Sequence, residues 1–325
     1  MDANVALGSQ LASGGDMKCT LVRISLLIVF AVELSLTSVS SRAESRCPVN
    51  VPDMHPRLVA GALLVIPAKV NGAGPYDFMV DTGSQLNVVD PSLASELHLK
   101  SQAQVGLVAT ASAQEASVGI LDSLQVGSHV ILRPIAAIQD LGPIQAADPR
   151  IRGILGENFL GHFDLLIDYS HNLLCLDEGK AMESTIRGQR IPLVISSNPE
   201  GNVPFSDRLV ISVNLIDIGT QPVLLQIDSG SDGVILFPGS RVLDSLLRRA
   251  RLHGVDQGKA QRAFAVLPPQ DLRLGSRTVR KVPCVTPTRG VLNGPVHEED
   301  GVLATVLFGR VYISHSNRFI VFDLR

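Results

Sequence analysis

Two segments of the chain end an apolar run with an aspartate, a hydroxyl residue, a glycine and a serine. They are Tyr76–Ser84 and Val223–Ser231, which place Asp81 and Asp228 147 positions apart (228 minus 81). Two carboxylates about 3 Å apart cannot both ionise easily, so such a pair shares one proton. The ionised member can accept a proton from water while the protonated member donates to a carbonyl oxygen. The two segments could therefore supply an acid and a base, provided that the fold brings them together.

Three further matches follow the aspartate segments in the same order, which indicates an internal duplication. They pair Leu124–Ser128 with Leu272–Ser276, Gly153–Gly156 with Gly301–Ala304, and Phe163–Asp168 with Arg318–Asp323. The first two recur at an offset of 148 positions (275 minus 127, and 301 minus 153). The alternative is that the two aspartates cap ordinary hairpin turns. Four colinear matches favour two equivalent halves instead.

Each half is predicted to be mostly strand, because short Val-, Ile- and Leu-rich runs alternate with Gly, Pro, Asn and Ser. One helix is predicted at 90–97, with Asp90 as its cap and Pro91 in its first position. A second is predicted at 240–252, with leucines along one face. The segment 106–113 is predicted to form a mobile hairpin over the cleft. The halves are expected to join within 178–205, where a strand at 191–195 opens the second half.

Both aspartate segments, each followed later by Gly-apolar-apolar-Gly or its alanine variant, resemble the aspartic peptidases of the pepsin and retropepsin clan. The likeness is closest to bacterial exported aspartyl protease proteins of retropepsin-like type, on the runs Gly74–Ser84 and Asp300–Phe308. It covers roughly residues 58–325. The resemblance implies an all-β, two-lobed acid-protease fold, in which duplicated retropepsin-like β-barrel lobes with short helices are related by a pseudo-twofold axis.

The resemblance also implies that Asp81 and Asp228 form a catalytic dyad that activates a water. The residues implied to support this dyad are Thr82, Gly83, Ser84, Ser229, Gly230 and Ser231. The two glycines would let the backbone turn tightly beside each carboxylate. Thr82 and Ser229 are expected to hydrogen-bond to the opposite lobe, and Ser84 and Ser231 to the outer carboxylate oxygens.

Several positions depart from the family pattern. Ser229 stands where threonine is commoner, and Ala304 stands where the second half is expected to carry glycine. Asp232 is interpreted as a residue of a solvated turn; the alternative is a third carboxylate near the dyad, which would raise the pKa of the pair. The predicted hairpin at 106–113 lacks the tyrosine of pepsin-like flaps. His315 is interpreted as a surface residue of a loop.

The composition argues against several other classes of protein. With 28 Lys and Arg against 31 Asp and Glu, the net charge is −3, and the sequence lacks the basic stripe of a nucleic-acid-binding protein. It also lacks a His-Glu-x-x-His motif and closely spaced cysteines, so no metal or cofactor is expected. Beyond the N-terminal segment, Cys47, Cys175 and Cys284 allow at most one intramolecular disulfide, and they are assigned no role.

Residues 1–43 are predicted to be a signal peptide. Lys18 and Arg23 precede the apolar run Ile24–Val32, and Ser41-Arg42-Ala43 offers a small-residue cleavage site. The alternatives are an uncleaved membrane anchor and a start at Met17. We therefore expect an exported protein, periplasmic or secreted, with an N-terminal lobe at 44–184 and a C-terminal lobe at 185–325.

Taken together, these features predict an aspartic-type endopeptidase that binds an extended polypeptide in the cleft between its lobes. Its expected partner is this polypeptide substrate, without nucleic acid or metal, and with membrane contact only through an uncleaved N-terminal segment. A monomer is expected, with a homodimer as the alternative. The rival function is a non-catalytic exported peptide-binding protein on the same fold, because a fold does not secure an activity.

Overall fold

The computed structural model describes residues 46–48, 50–109, 112–194, 205–219, 221–252, 264–287 and 298–323. All of these residues belong to one compact unit, Glu44–Arg325. Strands dominate this unit, as expected for the all-β class. Within these ranges, no helix is long and apolar enough to cross a membrane.

A ten-stranded sheet forms the N-terminal lobe. Its strands are β1 (Arg57–Val59), β2 (Leu63–Val70), β3 (Ala73–Val80), β4 (Asn87–Val89), β5 (Ala103–Ala109), β6 (Ser112–Ile120), β7 (Ser123–Val126), β8 (His129–Leu132), β9 (Ile135–Ile138) and β10 (Ile151–Leu155). The strand order is β5-β6-β9-β4-β10-β3-β2-β7-β8, with β1 paired to β2. The helices of this lobe are α1 (Pro91–Glu96), α2 (Gly142–Gln145) and α3 (Glu157–Leu160).

Turn and cap residues fix the ends of the elements around the first aspartate. Asn71 and Gly72 both have positive φ, 51° and 77°, and they form the tight turn that joins β2 to β3. Asp90 caps α1 because its carboxylate accepts a hydrogen bond from the Leu93 N–H, and Pro91 begins the helix. The helix predicted at this position is therefore confirmed.

After α3 the chain forms three connecting strands and then enters the C-terminal lobe, where six strands close into a barrel. The connecting strands are β11 (Asp164–Asp168), β12 (Leu173–Asp177) and β13 (Ile191–Pro192). The barrel strands are β14 (Val210–Leu215), β15 (Val223–Asp228), β16 (Val234–Leu236), β17 (Phe264–Leu274), β18 (Arg277–Pro287) and β19 (Gly301–Ala304), in the order β14-β15-β19-β16-β18-β17. The chain continues through a 3-10 turn (Thr305–Leu307), β20 (Arg310–Ser314) and β21 (Phe319–Asp323).

The helix predicted in the second half is α4 (Arg241–Leu252). Its apolar face is buried through Val242, Leu243 and Leu246, which confirms the predicted leucine face. The strand predicted at 191–195 is shorter than expected, since β13 ends at Pro192 and only Val194 makes a further bridge, to Val210. Residue 195 lies outside the described residues.

A third sheet is shared by the two lobes. Its order is β12-β11-β20-β21-β13, so strands of the N-terminal lobe pair directly with strands of the C-terminal lobe. At its centre, β11 and β20 run antiparallel with Leu165 opposite Ile313 and Ile167 opposite Val311. This sheet joins the lobes and fixes how their aspartate loops face each other.

The strand pairing repeats between the lobes. In the first, β10 pairs parallel to β3 and antiparallel to β4; in the second, β19 pairs parallel to β15 and antiparallel to β16. Gly127 and Gly275, which the sequence aligned, have φ of 57° and 58°. The internal duplication is therefore present in the fold.

One predicted match, of 163–168 with 318–323, is wrong: it pairs β11 with β21, whereas the strand equivalent to β11 is β20. The central pair of the shared sheet relates β11 to β20, and hence β12 to β21. Asn172 and Arg318, at the turn of each hairpin, both have positive φ, 49° and 54°. Both strands of each hairpin are apolar, so the apolar pattern alone could not tell them apart.

A disulfide joins Cys47 to Cys175 on β12. Next to it, Met54 forms a bridge with Leu174, so the start of the described chain is held against the shared sheet. Cys284 is a buried free thiol. The cysteines that the sequence left without a role thus include one structural crosslink.

Candidate active site

The two predicted aspartates stand at equivalent ends of equivalent strands. Asp81 directly follows β3, and its N–H donates to the carbonyl of Leu155 on β10. Asp228 is the last residue of β15, where it pairs with Ala304 of β19. The parallel strands β10 and β19 pair with β3 and β15. They therefore fix both aspartates at the point where the chain leaves the sheet and enters a turn.

Hydroxyl groups tie the two aspartate turns together. Thr82 Oγ1 donates to the carbonyl of Ile227 at 3.1 Å and accepts from the Ser229 N–H at 3.1 Å. Ser229 Oγ donates to the carbonyl of Val80 at 2.9 Å and accepts from the Thr82 N–H at 3.1 Å. Both side chains are completely buried. The cross-lobe hydrogen bonds expected of these residues are present, and Ser229 makes them without the methyl group of threonine.

Each glycine lies against the carboxylate of the opposite lobe. A Cβ placed on Gly83 would lie 2.7 Å from Cγ of Asp228, and one on Gly230 would lie 2.8 Å from Cγ of Asp81. Each glycine N–H also donates to its own lobe's aspartate, Gly83 to Asp81 Oδ1 at 2.8 Å and Gly230 to Asp228 Oδ1 at 2.6 Å. Only glycine fits at positions 83 and 230, and because glycine has no Cβ, the two carboxylates can lie close together.

The convergence changes how the carboxyl groups ionise. Burial raises the pKa of Asp81 well above its ordinary value, and the charge of Asp228 and a hydrogen bond with it raise this pKa further. Burial also raises the pKa of Asp228, against the lowering effects of the Gly230 N–H, Asp81 and Ser231. A pair in this environment retains a shared proton at a pH where ordinary carboxyl groups are ionised.

The two serines of the motif differ in their relation to the aspartates. Ser84 Oγ donates to the carbonyl of Leu86 at 2.8 Å and not to Asp81. Ser231 Oγ is buried without a hydrogen bond of good geometry, although it lies close enough to lower the pKa of Asp228. The turn after Asp81 directs the Ser84 hydroxyl to the Leu86 carbonyl, which sequence spacing could not show.

Asp232 is exposed, as expected for a residue of a solvated turn. The additional charge that raises the pKa of Asp81 is that of Glu157, at the start of α3. His315 was expected at the surface, but its ring lies between the Phe163 carbonyl and Glu157 Oε2, at 2.6 and 2.8 Å. The signal that could have found Glu157 is its position, one residue after the repeated Gly153–Gly156 segment.

The predicted hairpin at 106–113 is formed by β5 and β6, which pair antiparallel from Ala103 opposite Val118 to Ala109 opposite Ser112. Residues 110 and 111 at its tip lie outside the described residues. Where the first lobe has Gly156, with no room for a Cβ against the Leu86 carbonyl, the second lobe has a fully buried Ala304. The second lobe therefore accommodates the alanine side chain in its interior.

No cluster of three or more His, Cys, Asp or Glu side chains able to hold a metal ion occurs in the described ranges. The candidate site consists of two carboxylates, the hydroxyl groups that join their turns, and backbone N–H groups. Such a set can hold and polarise a water, and it can donate and accept one proton.

Comparison with known proteins identifies a related family. Residues 66–159 match the family model described as "Aspartyl protease". Matching solved structures include a retropepsin-like aspartic protease from Rickettsia conorii, which is 22% identical, with a TM-score of 0.28, and the match covers 39% of this chain and 90% of that chain. No curated protein matches this chain. The family match confirms the resemblance that the first aspartate segment suggested.

Proposed function

We propose that the protein is an aspartic-type endopeptidase with Asp81 and Asp228 as its catalytic dyad, and the match of residues 66–159 to the aspartyl protease family model supports this proposal. One observation carries this proposal: each glycine of the motif lies against the opposite lobe's carboxylate, so that both acids converge in one place. An ordinary turn-capping aspartate would have no reason to face a second buried carboxylate.

In this mechanism a water lies between the two carboxyl groups. The ionised aspartate accepts a proton from the water as its oxygen attacks the peptide carbonyl carbon, while the protonated aspartate donates its proton to the carbonyl oxygen. As the C–N bond breaks, the protonated aspartate donates its proton to the leaving nitrogen and the other aspartate accepts a proton from a hydroxyl of the tetrahedral intermediate. The pair therefore carries one proton before and after each step, which the raised pKa of Asp81 and of Asp228 supports.

We propose an extended polypeptide as the substrate, lying between the dyad and the β5–β6 hairpin. Such a strand can hydrogen-bond to the hairpin backbone by β-strand addition. The dyad is assembled from one chain, so we propose a monomer as the catalytic unit. The Cys47–Cys175 disulfide supports export to an oxidising compartment, where such crosslinks persist.

One observation favours the alternative, a non-catalytic peptide-binding protein. Neither Ser84 nor Ser231 makes a well-formed hydrogen bond to a carboxylate of the dyad. A site that lacks this support could bind a peptide and still position the water poorly.

Cleavage of denatured casein separates the two functions. The full-length protein is assayed from about pH 3 to 7, around the raised carboxyl pKa values, with and without a pepstatin-type inhibitor. We expect cleavage that the inhibitor blocks and that Asp81→Asn and Asp228→Asn each abolish. The exposed Asp232→Asn variant is the matched control and should cleave normally. Binding of casein without cleavage by the wild type at any pH would favour the alternative, and cleavage by folded Asp81→Asn would refute the dyad.

A further inference from the structure

Two side-chain hydrogen bonds near the candidate dyad cross between the lobes. On one side, the hydroxyl groups of Tyr169 and Thr305 lie 2.6 Å apart. On the other side, His315 Nε2 lies 2.8 Å from Glu157 Oε2. Tyr169 and His315 lie just after β11 and β20, two strands of the shared sheet. Their partners, Thr305 and Glu157, lie just after β19 and β10, the strands that pair with the aspartate strands β15 and β3.

The duplication makes these two pairs equivalent. Leu155 pairs with Val80 beside Asp81, and Leu303 pairs with Ile227 beside Asp228, so Glu157 and Thr305 each lie two residues beyond an equivalent position. Tyr169 directly follows β11 and His315 directly follows β20, the two strands related at the centre of the shared sheet. Equivalent backbone positions thus carry a neutral pair on one side and an ionisable pair on the other.

The ionisable pair is attached directly to the first aspartate turn. The Glu157 N–H donates to the carbonyl of Ser84 at 2.7 Å, and Ser84 lies three residues after Asp81. Glu157 is only 3% exposed, and its Oε1 has no hydrogen-bond partner. A buried carboxylate with one unpaired oxygen projects its charge further than a solvated one, because little water screens it.

The hydrogen bonds of His315 indicate where protons reside. The Phe163 carbonyl can only accept, so Nδ1 carries a proton toward it. A second proton lies in the bond between Nε2 and Glu157 Oε2. Burial by itself would lower the pKa of His315, but the charge and hydrogen bond of Glu157, the Phe163 carbonyl and Asp164 raise it above the ordinary value. The raised pKa favours an imidazolium at His315, facing the Glu157 carboxyl group.

We propose that Glu157 and His315 are positioning residues that make the two aspartates unequal, because the Glu157 carboxylate favours the protonated form of nearby Asp81 and the neutral Tyr169–Thr305 pair does not do the same for Asp228. This inference rests on the proposed function. It gives the dyad a preferred location for its shared proton. It also extends the single-proton state of the dyad toward higher pH.

Other charged groups around the pair are held by partners of their own. Asp164 accepts hydrogen bonds from Tyr312, Ser314 and Ser316. A cleft of about 500 Å³ opens onto Glu157 and His315. Its charged and titratable lining residues are His162, Asp207, Arg208 and Arg318, of which Arg208 pairs with buried Glu299 and Arg318 with Asp207. Solvent can therefore exchange protons with the pair from the side of this cleft.

The test is the pH dependence of cleavage by Glu157→Gln, an isosteric change that removes the charge. Both limbs of the kcat/KM profile should move to lower pH by about half a unit or more, the size expected for a partly compensated charge at short range. Thr305→Val is the matched control, because it breaks the equivalent bond without changing charge. Its profile should keep the wild-type position even where stability falls. An unmoved profile in folded Glu157→Gln would overturn the proposal.

A second measurement does not depend on activity. The carboxyl ¹³C resonances of the aspartates, followed by NMR, report the protonation of Asp81 directly. We expect its midpoint to fall in Glu157→Gln and not in Thr305→Val. If the wild type cleaves nothing, the proposed function fails while this titration still decides the inference. If Glu157→Gln does not fold, Glu157→Thr combined with His315→Tyr copies the neutral pair and should give the same downward shift; an unshifted midpoint there would refute it.

Discussion

Removing the hydroxyl of Thr82 should destabilise the protein strongly, because this hydroxyl hydrogen-bonds to two buried backbone groups in the opposite lobe. Thr82→Val keeps the shape of the side chain but deletes the bond to the Ile227 carbonyl and the bond from the Ser229 N–H. A buried group left without its partner destabilises a protein by about 1–3 kcal/mol. For two such groups we expect a loss of roughly 2–6 kcal/mol in the free energy of unfolding.

A second threonine provides a matched control for this change. Thr286 is also buried, but its Oγ1 has no hydrogen-bond partner. Thr286→Val therefore replaces an unsatisfied hydroxyl with a methyl group, and its effect should be neutral or stabilising. Thr82→Ser, which keeps the hydroxyl and loses a methyl, should cost only about 1 kcal/mol.

Urea unfolding followed by far-ultraviolet circular dichroism measures these differences, since the chain contains no tryptophan for fluorescence. At about 2–4 °C per kcal/mol for a domain of this size, Thr82→Val should also lower the melting temperature by at least about 4 °C. Cleavage should fall with it, because both aspartate turns lose their common support. A Thr82→Val protein as stable as Thr286→Val would show that the cross-lobe bonds contribute nothing.

Three further predictions follow from the same contacts. Gly230→Ala places a Cβ about 2.8 Å from Asp81 Cγ, so cleavage should fall by about 100-fold or more, whereas Gly142→Ala, with 3.4 Å to its nearest atom, should cleave normally. Because folding raises the pKa of Asp81, its protonated form contributes stability that is fully present below about pH 3.9, the pKa in the unfolded chain. This stability is lost as the pH rises through the pKa of the folded protein. Asp81→Asn should therefore become more stable relative to wild type as the pH rises from about 4 to 7. Replacing Cys47 and Cys175 together by serine should lower stability by about 2–5 kcal/mol, seen as a lower urea midpoint.

Each of these predictions has a clear contrary result. Equal cleavage by the Gly230→Ala and Gly142→Ala variants would mean that the carboxylates do not meet as closely as the structure has them. A difference between Asp81→Asn and wild type that does not change with pH would argue against a retained proton on the pair. An unchanged urea midpoint after removal of both cysteines would show that the Cys47–Cys175 disulfide adds no stability.

The sequence predicted what depends on residue type at fixed spacing. The two aspartates, their hydroxyl neighbours and their glycines occupy short turns whose geometry follows from the motif itself. The cap at Asp90 and the buried face of α4 were likewise predictable, since both depend on contacts a few residues apart. The repeated motif, together with the family resemblance it carries, therefore indicated the candidate dyad and the residues that join its two turns.

Contacts between distant segments were not predictable in this way. The hairpin match at 163–168 was misplaced, because either apolar strand of the second hairpin satisfies the same pattern. Ser84 turns toward Leu86 because of a backbone path that its spacing from Asp81 does not reveal. Glu157 and His315 are 158 positions apart, and only the pairing of β11 with β20 brings them together.

Duplication within one chain allows the two halves of a symmetric site to differ. A site made by two identical subunits about a twofold axis has the same residue on both sides, so its aspartates can only differ through the substrate. Here α4 spans twelve residues where α1 spans six, and the Glu157–His315 pair occupies the position equivalent to the Thr305–Tyr169 pair. General acid and general base catalysis requires one protonated and one ionised carboxyl group. A chain that encodes this difference in its own side chains can establish it before any substrate binds.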